Sequence, residues 1–477
     1  MAYDAVIIGA GPSGLAAATR LAHFGKKVCL LEAHSKLGGL NSWHQVAGRE
    51  ISTGLHAFTN YSADGRGGAL GKLLRQLRIK FRDLELYPQN RSSIRFPHCS
   101  LQFDNNPETL RLQVAERFPS QIDGFDRLRR RILETDEGEI TSRRTSAREA
   151  LSANITDPFL MDMLFCPVMF YGNPGGVGDG LDSERDAPDM DWLLFCVVWK
   201  CIFESGMSSP LSGMRTLWEA LAGRFLADGG ELLLSSRVRR LVVEGGRIVG
   251  VRLADGREIV GEAVFSSAGR CETMELSELG ADGRAAPAPG EISIVEGVAV
   301  LDKPSVSIGM RDTAVFFSFS DRFAFRRPDT LVERRSGVVL AMDNYLVPEP
   351  SRRQILKMSQ LANYPLWKKL DRASYREAKT ASALGMAADL AALGVRLRDG
   401  RERPGKFGLF DDFFTPLTIE RFTSHAEGAL YGSPAKSRSG ETRFPNLFLI
   451  GTDQGFHGIV GAMLSGVAMV NRHLLAK

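Results

Sequence analysis

The chain has 477 residues, is 44% hydrophobic and 24% charged, and carries 60 Lys+Arg against 56 Asp+Glu, a formal net charge of +4. That length accommodates two or three domains with a sizeable core, and so small a charge excess excludes nucleic acid as the default partner. Six cysteines (29, 99, 166, 196, 201 and 271) form no C-x-x-C pair and no zinc-ligand spacing, which argues against a disulfide framework or a metal site and for a reducing, cytoplasmic compartment.

Residues Tyr3 to Ile8 read as a short apolar strand. The turn Gly9-Ala10-Gly11-Pro12-Ser13-Gly14 follows, then a helix ending on Gly25, then a second strand, Lys27 to Glu32. This is a complete βαβ unit. The run is too short and lacks the preceding basic residue expected of a signal peptide. Gly9 allows the tight turn, Gly11 lets backbone approach a pyrophosphate, and Gly14 lets the helix pack on the strand. The helix start offers free N–H groups and a partial positive charge to phosphate. Glu32 ends the second strand 18 positions after Gly14. There it can bond ribose hydroxyls and repel a 2′-phosphate, which favours FAD or NAD over NADP.

A second Gly-punctuated helix start, "GTDQGFHGIVGAMLSG", spans Gly451 to Gly466. Between the two cradles, Arg127 to Arg131 and the arginine pairs at 326, 334 and 352 are scattered and read mostly as solvated faces. No stretch reaches the roughly 18 uncharged apolar residues of a spanning helix. The segment "GGVGDG" (175–180) lacks a preceding strand and reads as a loop, so a two-dinucleotide-domain reductase is not expected. Electrons would be exchanged with the substrate, a quinone, oxygen or a separate donor.

The continuation "EAHSKLGGLNSW", with Gly38-Gly39, resembles the extended fingerprint of FAD-containing oxidoreductases. "EISTGLHAFTNY" (Glu50 to Tyr61) resembles the D-x-G-x-H segment of the phytoene desaturase and carotenoid isomerase group. That group includes retinol saturases and, more distantly, amine oxidases. Ser209 to Gly269, Thr415 to Gly432 and Asn446 to Leu474 are similar to the same group.

The resemblance implies a Rossmann-like α/β FAD-binding domain of the GR2 flavoprotein type, interleaved with an α+β substrate-binding domain. The FAD-binding parts would be 1–75, 209–287 and 415–477, and the substrate region 76–208 and 288–414. The implied cofactor residues beyond the first turn and Glu32 are Ala33, Gly38, Gly39, Leu40, Gly54, Leu55, His56, Val238 and Ala268. At the second cradle they are Gly451, Thr452, Asp453, Gly458, Ile459 and Val460. The two cradles would then serve one FAD, the first its pyrophosphate and the second its flavin ring. Three departures stand out: Leu40 where the group has arginine, Thr53 where it has an acid, and Gly-Thr-Asp where it has Gly-Asp, so Thr452 or Asp453 takes the ribityl bond.

The resemblance also implies hydride transfer at flavin N5 on a lipophilic isoprenoid or polyene, in desaturation, saturation, isomerisation or redox cyclisation. Candidate catalytic residues are His56, His457 and Phe456. His56 is read equally well as a structural hydrogen bond. The alternative is an amine or amino-acid oxidase, with Phe456 and Tyr431 as an aromatic cage; a non-enzymatic FAD scaffold is a third reading. "DPFLMDMLFCPVMFYGNPGG" (157–176) and "DWLLFCVVWKCIF" (191–203) are dense in residues that line an adaptable apolar cavity or fill a core. Arg127 to Arg131 would let the entrance sit peripherally on an anionic membrane surface.

Overall fold

The computed structural model describes residues 2–54, 57–65, 67–136, 145–172, 189–277 and 287–476. Leu55, His56 and the 175–180 loop fall outside the described residues.

Four parallel pairings build the first sheet, in the order Glu231–Leu233, Val28–Leu31, Tyr3–Ile8, Glu258–Ser266 and Leu447–Leu449. The long strand Glu258–Ser266 does two jobs. Its beginning closes an antiparallel meander with Arg247–Leu253 and Val238–Glu244, and its end lies between Tyr3–Ile8 and Leu447–Leu449. Strand Tyr3–Ile8 is an unbroken apolar run from Ala5 to Ile8 because helices cover the sheet. Asn446 locks the junction: its Oδ1 accepts from Ile248 N–H at 3.0 Å, and its Nδ2 donates to the Ile248 and Glu262 carbonyls, each at 2.7 Å. Asn446→Ala orphans these buried groups and is expected to cost about 2 kcal/mol in chemical denaturation. A loss below ~0.5 kcal/mol would show that the junction does not depend on it.

The helices Pro12–His23 and Gly458–Val470 cross with almost no room between them. A Cβ on Gly466 would stand 2.1 Å from the Ser13 carbonyl oxygen. Together with its last turn, the segment Gly458–Leu475 is long and apolar enough to cross a membrane by length and composition, and 56% of it is buried inside this fold.

The second sheet runs Asp412–Phe414, Ser293–Val300, Ile355–Ala362, Ser336–Ala341, Ala314–Ser318, Ser92–Phe96 and Cys99–Phe103. Side chains alternate between its faces. One face, with Val295, Phe317, Val339 and Met358, packs on Met386 and Leu390 of helix Arg372–Ala392. The other looks toward the first domain. Residues 207–210 pair with Phe58–Thr59 and Leu86–Pro88 to bridge the two regions.

The Met- and Phe-rich stretches form helices Pro158–Gly172 and Trp192–Trp199, apolar nearly all round and largely buried, with the one buried charge, Asp162, paired to Arg148 (2.6 Å) and Arg322 (2.8 Å). Met163, Phe165, Cys166, Phe195 and Trp199 are fully enclosed. Among the described residues of these stretches, Phe170 and Tyr171 reach the cavity, and the fully enclosed ones take the core alternative that composition left open. Helix Ile122–Glu134 turns Leu128 and Ile132 inward. Arg129 pairs with Glu204 (2.9 and 3.0 Å) and Glu108 (2.7 Å), and Arg131 lies over the Trp192 ring at 4.8 Å. Two of the four arginines here are thus engaged within the fold; Arg127 and Arg130 stay exposed.

Candidate flavin site and substrate cavity

Both glycine cradles open onto one cavity of about 1370 Å³. Helix Pro12–His23 begins after Gly11 with no side-chain cap, and helix Gly458–Val470 begins after His457 in the same way. Their free N–H groups are therefore available to a ligand. The glycines of the first turn differ in what they permit. A Cβ on Gly14 would meet the Gly9 carbonyl oxygen at 1.9 Å, so Gly14 serves helix packing. A Cβ on Gly11 would meet nothing within 4 Å and would stand in the cavity, where close approach of a pyrophosphate requires its absence. Gly39, across the cleft, faces the Gly11 Cα.

Glu32 is 9% exposed and accepts from Ala10 N–H and His34 N–H, each at 2.8 Å, with its carboxylate on the cavity wall. Ala10 thus orients the acid and is itself buried. Gly9, Pro12, Ser13, Ala33, Leu40, Gly54, Val238 and Ala268 also reach the wall, whereas Gly38 is buried beneath Trp218. Leu40 presents an alkyl side chain where the resemblance implied arginine. Thr53 donates to the carbonyls of Leu40 (2.8 Å) and Ser42 (3.2 Å) and so ties two stretches of the site together.

At the second cradle Gly451, Thr452, Gly458 and Ile459 reach the cavity. Asp453 is buried in structural work: its carboxylate accepts from Ser433 N–H (2.6 Å) and Arg270 N–H, with Lys436 at 3.6 Å. Of the two ribityl candidates, Thr452 is the one in reach. Val460 is buried in the core. His457 is half-buried, and its ring lies 5.5 Å from that of Tyr431, which forms the wall at this point. Burial, aided by Lys436, pushes the His457 imidazole well below its ordinary range. It is neutral, and its NMR resonances are expected not to titrate between pH 5 and 8, the range in which an exposed histidine does. A midpoint near the ordinary value would contradict this placement. Phe456 precedes the helix, its backbone and Cβ lie close to Gly461, and it is not among the residues of the cavity wall.

The deep end of the cavity is the second sheet. Ile292, Ile294, Phe316, Val338, Leu340 and Leu361 form its apolar half, with Phe325, Phe170 and Tyr171 beside them. Tyr171 and Tyr431 hold the wall by donating to the carbonyls of Ala57 (2.6 Å) and Phe170 (2.5 Å). Nearer the first domain the same sheet face turns polar. Glu296 is 2% exposed and accepts from the Ser359 hydroxyl at 3.1 Å. Lys357 donates to the carbonyls of Ser52 and of Gly54 (2.6 Å). His44 Nε2 pairs with Asp412 at 3.1 Å. Burial raises the Glu296 carboxyl and lowers the Lys357 ammonium; Lys357 opposes the first shift and Glu296 the second. These residues were not among the sequence-based candidates. Their signal was a charge in the inward phase of an apolar strand, Glu296 in "SIVEGVAV" and Lys357 in "ILKMSQLA".

Residues 12–269, more than half of the chain, match the family described as flavin containing amine oxidoreductase. The chain is similar to prolycopene isomerase of Arabidopsis thaliana, 23% identical over 98% of this chain and 82% of that protein. It is also similar to prolycopene isomerase of Daucus carota, 24% identical over 57% of this chain and 47% of that protein, so this match spans about half the carrot protein's length. In fold it matches an oxidoreductase from Methanosarcina mazei with a TM-score of 0.64 at 16% identity, over 98% of this chain and 99% of that one. The uncapped helix starts, the space at Gly11 and the acid at Glu32 fit the cofactor this family carries, FAD. The chain belongs to the flavin-containing amine oxidoreductase family and is an FAD-dependent oxidoreductase.

Proposed function

We propose that the enzyme acts on a lipophilic isoprenoid or polyene, exchanging hydride at a carbon held over the flavin. The observation that carries this reading is the apolar face of the second sheet, continuous with both cradles in one cavity. Such a wall desolvates a long hydrocarbon and offers it no competing hydrogen bonds. Bound FAD supplies the two-electron chemistry. The protein's part is to orient the chain along Ile292, Ile294, Phe316 and Leu361, to exclude water, and to hold the polar groups of the sheet near Gly54. Similarity to prolycopene isomerases, whose name gives a polyene as substrate, supports the same class. The amine oxidase alternative gains nothing from Phe456, which does not line the cavity, whereas the ring beside Tyr431 is that of His457.

Anaerobic mixing of oxidised holoenzyme with phytoene, lycopene and a panel of amines tests the proposal through the visible absorbance of the flavin. Bleaching by a polyene supports dehydrogenation. Conversion of a polyene only after chemical reduction of the flavin supports saturation or isomerisation. Bleaching by amines alone overturns the reading.

A further inference from the structure

Within the apolar sheet face one acidic side chain stands out. Glu296 lies opposite Ser359 in the antiparallel pairing, and both line the cavity. Ser359 holds Oε2, the Gly54 backbone N–H adds a favourable contact to the carboxylate, and Oε1 is buried with no side-chain partner among the described residues. A buried carboxylate oxygen without a partner costs stability unless it serves a ligand. The charged groups facing it are Lys357 on the neighbouring strand and His44 across the cavity, with Asp412 behind His44. Lys357 is already committed to the carbonyls of Ser52 and Gly54. His44 Nδ1, also buried and without a partner among the described residues, belongs to a ring held by Asp412. Among these groups, Glu296 can take a proton on Oε1 while Oε2 goes on accepting from Ser359.

We propose that Glu296 is a catalytic residue that exchanges a proton with the substrate carbon through Oε1, an inference that rests on the polyene reading above. In the dehydrogenation direction two C–H bonds on adjacent carbons break and one C=C bond forms. One hydrogen departs with the electron pair as hydride, to the acceptor that FAD supplies. The other departs as a proton to Oε1, turning carboxylate into carboxylic acid, and is passed to solvent when product leaves. In the reverse direction the same carboxylic acid returns the proton. Burial suits the residue to this task, because it brings the carboxyl's proton affinity closer to neutral operating pH. The polar end of the sheet thereby selects where along the chain the proton leaves, and the apolar end aligns the remainder.

The test uses holoenzyme, wild type and the variants Glu296→Gln and Glu296→Asp, with phytoene and lycopene as probes. Three quantities are read: flavin content, solvent-deuterium exchange into the polyene, and the infrared carboxyl stretch as a function of pH. The expected result is a wild-type carboxyl band that persists above the ordinary glutamate range and is missing in Glu296→Gln. Exchange should fall at least ~100-fold in Glu296→Gln with flavin content unchanged, and recover in part in Glu296→Asp. Equal exchange in wild type and Glu296→Gln overturns the proposal while leaving the polyene reading intact. If wild type converts neither polyene, both fall. Should Glu296→Gln not fold, the infrared titration of wild type alone decides, and absence of a protonated carboxyl above the ordinary range overturns the assignment.

Discussion

Gly11→Val is expected to give a folded protein that does not retain FAD. The native backbone here has φ −74°, which valine adopts, and the added Cβ meets no protein atom within 4 Å. The fold therefore has no reason to object. The cavity is where the side chain goes, at the uncapped start of helix Pro12–His23, and the two methyl groups stand between the helix N–H groups and any phosphate. Losing that approach should weaken FAD binding at least ~100-fold, about 2.7 kcal/mol. Flavin content on purification and a titration with added FAD read the affinity, and a thermal melt beside FAD-free wild type reads the fold. Gly14→Ala makes the contrast: its Cβ would lie 1.9 Å from the Gly9 carbonyl oxygen, so it should lower the melt of the FAD-free protein too. Retention of FAD by Gly11→Val would show that the pyrophosphate does not approach this turn.

That contrast also shows what the sequence could and could not reveal. The first cradle was readable because strand, turn, helix and acid are contiguous, and local geometry decides them. The second was readable only by resemblance, since nothing local says that Gly451 to Gly466 lies beside Ser13. The strand Glu258–Ser266, lying between Tyr3–Ile8 and Leu447–Leu449, brings them together. Composition left open whether the Met- and Phe-rich stretches line the cavity or fill a core. Met163 and Phe165 are as apolar as Phe316 and Leu361, yet the first two fill a core and the last two line the cavity. Which side of an apolar element meets empty space is decided by long-range pairing, here among strands drawn from residues 92–103, 293–362 and 412–414. Asp453 shows the same limit: it has the residue type that a ribityl contact wants, but its carboxylate is occupied by Ser433 and Arg270.

Lys357→Met carries the second large expected effect, a loss of about 3 kcal/mol in stability at neutral pH. The ammonium is the donor to the carbonyls of Ser52 and Gly54, and each buried acceptor left unsatisfied costs ~1–3 kcal/mol. Its removal also leaves Glu296 without the cation that opposes its burial, so the carboxylate becomes an uncompensated charge. The pH dependence has a definite sign. Glu296 has a folded pKa above its unfolded value near 4.5, so the folded state holds the extra proton and stability falls as pH rises from about 4.5 through the folded pKa. Without Lys357 that folded pKa rises further and the window widens. The loss in Lys357→Met should therefore be smaller at acid pH, where Glu296 is neutral, and larger above it. Adding Glu296→Gln removes this part of the penalty, so the double variant should be more stable at neutral pH than the sum of the two single changes allows. Urea unfolding of wild type, both single variants and the double variant at pH 5 and pH 8 measures this. A pH-independent loss that is additive in the double variant would show that Lys357 supports the Gly54 segment without any electrostatic tie to Glu296.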